Sequence, residues 1–127
     1  MITVQVKTTI RDFFEKWLEW MNPMIPLKDM DRKILSAYLV LYYTNLSRFE
    51  NKILLNELVF NEDTKEILIK RLQVSRPQIN KALKHLITLG IIKEDEEKLS
   101  FNPLFVSKDL ESLKKINIVF SIAPTDK

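Results

Sequence analysis

The chain of 127 residues contains no cysteine, a single histidine and a single glycine. Without cysteine there are no disulfides and no thiolate metal ligands, a composition suited to a reducing compartment. His85 alone cannot assemble a multi-histidine zinc site. One glycine, Gly90, is too few for the phosphate-cradling loops and dinucleotide fingerprints, which need several. Ser75 sits in a helix cap, not in a nucleophile elbow. These absences lead to the expectation of a non-catalytic protein with no cofactor and no metal. No apolar run approaches the ~18 residues needed to cross a bilayer. Ile2, Val4 and Val6 alternate with Thr3, Gln5 and Lys7 instead of forming the apolar block of a signal peptide. Neither membrane insertion nor export is expected, and the expected location is the cytoplasm.

What is present is a sizeable apolar fraction, 46% against 29% charged residues, which fits a soluble globular domain able to bury a core. No repeat or Gly/Ser linker divides residues 1–127, so they are expected to form one domain. Lys outnumbers Arg fifteen to five and Ile and Asn are frequent, a bias of AT-rich genomes such as those of many bacteria, phages and plasmids. Charge is distributed unevenly. Residues 67–93 hold six basic side chains (Lys70, Arg71, Arg76, Lys81, Lys84 and Lys93) and no acidic one. The remainder of the chain has fourteen basic against seventeen acidic residues, so the whole positive excess sits on this stretch.

Periodicity organises the chain. Residues 2–6 read as a half-buried strand. Thr8 or Thr9 can cap a helix to about Met21 with Ile10, Phe13, Phe14, Trp17, Leu18 and Met21 on its apolar stripe, ended by Asn22-Pro23. A second helix is expected from about Asp29 to Leu46. Ile34, Leu35, Tyr38, Leu41 and Tyr42 recur on one face, and Leu39 and Val40 widen it enough to imply central burial. Residues 52–60 are ambiguous between a short helix and an extended segment. Asp63 is the expected cap of a third helix, with Glu66 three residues on and Ile67, Leu68 and Leu72 inward. After a turn at Gln73-Val74, Ser75 and Gln78 form a capping box with Pro77 in the first turn. Gln73 occupies a turn position often held by glycine, so it either adopts a left-handed conformation at a cost of about 1 kcal/mol or forces a different turn. Ile79, Leu83, Leu86 and Leu89 supply the buried stripe of the fourth helix, and Gly90 its left-handed exit. Residues 91–93 and 99–101 read as two strands joined by residues 94–98. Ser107 can cap a short helix, and residues 116–122 form a last strand.

The order helix, helix, tight turn, helix, hairpin resembles the winged helix-turn-helix domains of bacterial regulators and of plasmid or phage replication initiators. The resemblance rests on the L-x-V-S turn at Leu72 to Ser75, the I-x-x-x-L-x-x-L stripe from Ile79, the L-G-I-I exit at Leu89 to Ile92 and the F-N-P that ends the hairpin. It implies a mainly α fold with a small β component (α+β). Residues 27–105 would be the winged-helix core, 1–26 an N-terminal strand and helix, and 106–127 a C-terminal helix and strand.

Two functions follow from the resemblance. In the first, the helix at residues 75–89 enters the major groove of double-stranded DNA. Arg76, Gln78 and Asn80 have the paired hydrogen-bonding groups suited to base edges. Lys81, Lys84 and Thr88 share the same outer face, and Lys70 and Arg71 would approach the flanking phosphates. In the second, the fold is a protein-binding module of a phage particle, a homo-oligomer or an assembly component. It would join its neighbours through the terminal strands and the acidic hairpin tip Glu94, Asp95, Glu96 and Glu97, and its location would be the virion. That tip would be repelled by phosphate, a departure from the usual DNA-gripping wing.

Overall fold

The computed structural model describes residues 10–20, 22, 25–103 and 106. The strand expected at residues 2–6, the helix after Ser107 and the strand at 116–122 lie outside the described residues. Five helices are present among the described residues: α1 Ile10–Trp20, α2 Asp29–Asn45, α3 Lys52–Val59, α4 Glu62–Leu72 and α5 Arg76–Thr88. A single 3-10 turn, Leu46–Arg48, extends α2. Strands β1 Ile92–Asp95 and β2 Lys98–Phe101 form one antiparallel pair with Ile92 opposite Phe101 and Asp95 opposite Lys98. The fold is therefore mainly helical with a small sheet. No helix among the described residues is long and apolar enough to cross a membrane.

Helix α2 is central, with α1, α3 and α5 packed around it. Its apolar residues outnumber what one amphipathic face can hold, and Ile34, Leu35, Tyr38, Leu39, Tyr42 and Tyr43 are all buried. Leu41 and Val40 are only partly buried. From α1 come Phe14 and Leu18, and from α5 Ile79, Ala82, Leu83 and Leu86. Full burial of a Leu or Ile side chain is worth about 1.5–3 kcal/mol, so this shared core dominates the stability of the fold. Burial pushes the Tyr38 phenol up to about 12, with the Glu62 carboxylate adding to the shift, so the hydroxyl is neutral at physiological pH.

Several local expectations are corrected. The ambiguous stretch 52–60 resolves into a helix over residues 52–59 because Asn51 caps it, its side chain accepting the Ile53 N–H at 2.8 Å, and Leu55 and Val59 then fall on one buried face. Helix α4 begins two residues earlier than a cap at Asp63 would place it. Its cap is Asn61, whose side-chain Oδ1 accepts the Thr64 N–H at 2.7 Å, which places Glu62 and Asp63 in the first turn at the positive end of the helix. With Thr64 and Leu68 inward, Ile67 is rotated outward and is half exposed. Leu89 also leaves the core, since it lies beyond the last turn of α5, and Ala82 joins the buried stripe of that helix. Gln73 does adopt the left-handed conformation, at φ 56°, and Gly90 does so at φ 80°. The hairpin is tighter than expected, with strands that continue through Asp95 and Lys98 and a two-residue turn of Glu96 and Glu97. Both have positive φ, 49° and 66°, the pattern of a type I′ turn in which Asn-Gly is the favoured pair.

Asn56 joins α3 to the hairpin. Its Oδ1 accepts the Phe101 N–H at 3.0 Å and its Nδ2 donates to the Lys52 carbonyl at 2.8 Å. Replacing Asn56 by Ala leaves a buried N–H without its acceptor and should lower the unfolding free energy by about 1–3 kcal/mol in urea titration. The double change Glu96→Asn with Glu97→Gly should act in the opposite direction. It places at both positive-φ positions a residue that tolerates the left-handed conformation and is expected to stabilise the chain by about 1–2 kcal/mol in the same assay.

Candidate nucleic-acid interface

The segment from α4 through α5 is held by local chemistry. The Ser75 hydroxyl accepts the Gln78 N–H at 3.3 Å, and the Gln78 side chain accepts the Ser75 N–H at 2.8 Å, which completes the expected capping box. At the other end of the turn, Lys33 of α2 donates to the Leu72 carbonyl at 3.2 Å, satisfying one of the orphan acceptors at the end of α4. His85 on α5 lies 2.9 Å from the buried Asp31 carboxylate of α2 and ties the two helices together. Gly90 and the residues after it turn the chain back. The Ile91 N–H bonds the Leu86 carbonyl, and Asn102 at the end of β2 donates to the Gly90 carbonyl at 2.8 Å.

All six expected residues of α5 are exposed, but their availability differs. Arg76 bonds Glu62 on α4 at 2.7 Å and also pairs with Glu66. Asn80 accepts from Lys65 of α4 at 2.9 Å. Gln78 is committed to the capping box, and the Thr88 hydroxyl donates back to the Lys84 carbonyl at 3.0 Å. Lys81 and Lys84 on α5, and Lys70 and Arg71 in the last turn of α4, are exposed and have no ion pair among the described residues. The three side chains best suited to base edges are thus held internally. Four cations better suited to phosphates remain accessible.

Between α5, the end of α3, the start of α4 and the hairpin lies an open cleft of about 650 Å³. Glu57, Glu62, Glu94 and Glu97 line it together with Lys65, Lys84 and Lys98. Glu57 pairs with Lys98 at 3.4 Å and Glu62 lies 3.5 Å from Lys65. The expected partner-binding tip divides here. Glu94 and Glu97 reach the cleft, while Asp95 and Glu96 are exposed at the strand end and turn. Hydrogen bonding from the Arg76 guanidinium, followed by the Lys65 charge, holds the Glu62 carboxyl below the usual glutamate range.

Glu57, Glu62, Lys65, Glu66 and Lys98 belong to this surface although residues 67–93 alone do not contain them. Their signal lies in helical spacing. Glu62 and Glu66 are four residues apart and share one face of α4, which faces the start of α5. A window of sequence that begins at Ile67 stops one residue short of Glu66. Among the described residues, no group of three or more His, Cys, Asp or Glu side chains is placed to hold a metal ion. Comparison with family models, curated proteins and solved structures finds no match to this chain.

The Glu62–Arg76 contact has a pH signature. Because the folded carboxyl is held low, any stability it contributes is present above the ordinary glutamate pKa and is lost as pH falls through the folded value. Exposure of both side chains keeps that contribution small. In a carboxyl-carbon NMR titration, the Glu62 midpoint should lie below that of the unpaired surface glutamates and return towards theirs in Arg76→Gln.

Proposed function

We propose that the chain is a non-catalytic winged helix-turn-helix module that binds a protein partner and does not use α5 as a DNA-reading helix. The order α2, α4, turn, α5, β1, β2 supports the winged-helix reading, with α3 as an added helix between its first two members. The observation that carries the functional half is the placement of Glu62 and Glu66 beside Arg76 at the start of α5. In helix-turn-helix docking, that end of the recognition helix meets base edges while the preceding helix crosses the phosphate backbone. Exposed ion pairs are worth only about 0–1 kcal/mol, so Arg76 could be released. The two carboxylates would nonetheless remain against the phosphates, and Glu94 and Glu97 line the same cleft as Glu62. In this reading the protein serves in an assembly, as in a phage particle, and homo-oligomers through the terminal segments belong to the same proposal.

A second reading keeps double-stranded DNA as the partner. It is favoured by the accessible cations Lys70, Arg71, Lys81 and Lys84. That set would contact phosphates and make binding salt-sensitive.

Fluorescence anisotropy with labelled duplex DNA separates the two. Under the protein-binding reading, the duplex is bound no tighter than roughly 10⁻⁴–10⁻⁶ M at physiological salt. Glu62→Gln with Glu66→Gln leaves it in that range. Tight, saturable binding that Lys81→Glu with Lys84→Glu abolishes, and that Glu62→Gln with Glu66→Gln strengthens, would overturn the protein-binding reading in favour of the second.

A further inference from the structure

Three charged side chains that line the cleft have no ion pair among the described residues, and they differ in sign. They are Lys84 of α5, Glu94 of β1 and Glu97 of the hairpin turn. The other charges of the cleft are met by the protein itself. Glu57 pairs with Lys98, and Glu62 with Arg76 and Lys65. Opposite charges lining one cavity attract, yet Lys84 pairs with neither glutamate. The reason is that they arrive on separate elements. Helical spacing fixes Lys84 on α5, and the strand ladder fixes the two carboxylates on the hairpin.

The α5 side of the cleft is rich in donors. Asn80 and Lys84 are four residues apart, so they share one side of the helix. Lys65 donates to the Asn80 Oδ1 at 2.9 Å, and the Asn80 amide nitrogen has no acceptor among the described residues. An ammonium next to an amide N–H suits a carboxylate. Glu94 and Glu97 when ionised only accept, and they suit an ammonium. Apolar lining comes from Leu83 and Ile87 of α5 and Leu99 of β2. A volume of about 650 Å³ lies within the range of small-molecule sites. The mixture of signs narrows the class of ligand. A simple anion, phosphate included, would meet Glu94 and Glu97 as well as Lys84, and a simple cation would meet Lys84.

We propose that the cleft binds a small zwitterion with an aliphatic body, of the dipeptide class. Its carboxylate meets Lys84 and the Asn80 amide nitrogen, and its ammonium meets Glu94 and Glu97. Its side chains lie on Leu83, Ile87 and Leu99. Only a ligand that carries both charges satisfies all three unpaired groups at once, each through a charge-assisted hydrogen bond. This inference goes beyond the protein-binding reading and does not depend on it.

The test is an amide NMR titration of the full chain with the dipeptide Leu-Leu and with its N-acetylated and C-amidated forms. Each capped form lacks one of the two charges. Leu-Leu should bind saturably with a Kd of roughly 10⁻⁴ M, the order that ordinary ligand efficiency gives a molecule of its size. The shifted amides should be those of residues 80–87 and 94–99. Each capped form should bind roughly tenfold more weakly. Lys84→Gln should weaken Leu-Leu by a similar factor and leave the C-amidated form unaffected. Glu94→Gln with Glu97→Gln should do the same for Leu-Leu and leave the N-acetylated form unaffected. Lys81→Gln, at an exposed α5 position outside the cleft, should change nothing. Absence of saturable binding, or shifts confined to other residues, would overturn the proposal. Equal binding of free and capped peptides would overturn it too. So would a Lys84→Gln variant that weakens all three forms alike, because the lysine would then act on the fold and not on the ligand's carboxylate.

Discussion

The hairpin's position depends on a continuous chain of aromatic contacts through α2. Phe14 of α1 stacks on Tyr43 at 5.1 Å, Tyr43 meets Tyr42 edge-on at 5.2 Å, and Tyr42 meets Phe101 at 5.2 Å. Phe101 then touches Phe60 at 5.0 Å, and Phe60 stacks back on Tyr38 at 5.1 Å. Such ring pairs add about 0.5–1.5 kcal/mol each beyond their buried area, and their geometry is directional. Phe101 is consequently keyed to α2 through its ring and to Asn56 of α3 through its backbone N–H. Since Ile92 lies opposite Phe101 in the ladder, fixing that residue fixes β1 as well. The carboxylates at the far end of a four-residue strand pair inherit their position from this core.

That inheritance explains how a mildly charged surface becomes organised. Glu94 and Glu97 are brought to the cleft by the hairpin, Glu57 by α3 and Glu62 by α4. None of these elements is a neighbour of all the others in sequence. Individually the ion pairs here are exposed and weak. Lys65, Lys84 and Lys98 line the same cleft, so its surface is an interleaved pattern of both signs, and complementary patterns steer and select partners more than they add affinity. The left-handed residues Gln73, Glu96 and Glu97 belong to the same economy of a well-packed fold. Each is unfavourable alone and persists because the surrounding helix ends and ladder determine the backbone there.

The basic character of residues 67–93 illustrates the difference between charge along a chain and charge in space. Arg76 counts towards the positive excess, yet Glu62 and Glu66 surround it in the fold. Asn80 is suited in principle to an adenine edge, but Lys65 holds its side-chain oxygen. Lys81 and Lys84 keep the exposure expected of them because the α5 positions that alternate with them, Ile79, Ala82, Leu83 and Leu86, face the core. Helical periodicity thus identified which α5 residues point outward. It could not identify what a second helix would place beside them.

Local physics was legible in the sequence where it involves few residues. The Ser75–Gln78 capping box, the left-handed Gly90, the burial of α2 and the two-stranded hairpin follow from cap chemistry, φ preference and apolar spacing. Where two local signals competed, neighbouring residues decided: Asn51 made residues 52–59 a helix, and Asn61 displaced Asp63 as the cap of α4. Tertiary structure alone determined the exposed apolar side of α3, the Asn56–Phe101 contact and the cleft that gathers glutamates and lysines from four elements. These depend on how helices cross and which faces remain uncovered. Periodicity sets the faces of each element, and packing sets which of those faces meet.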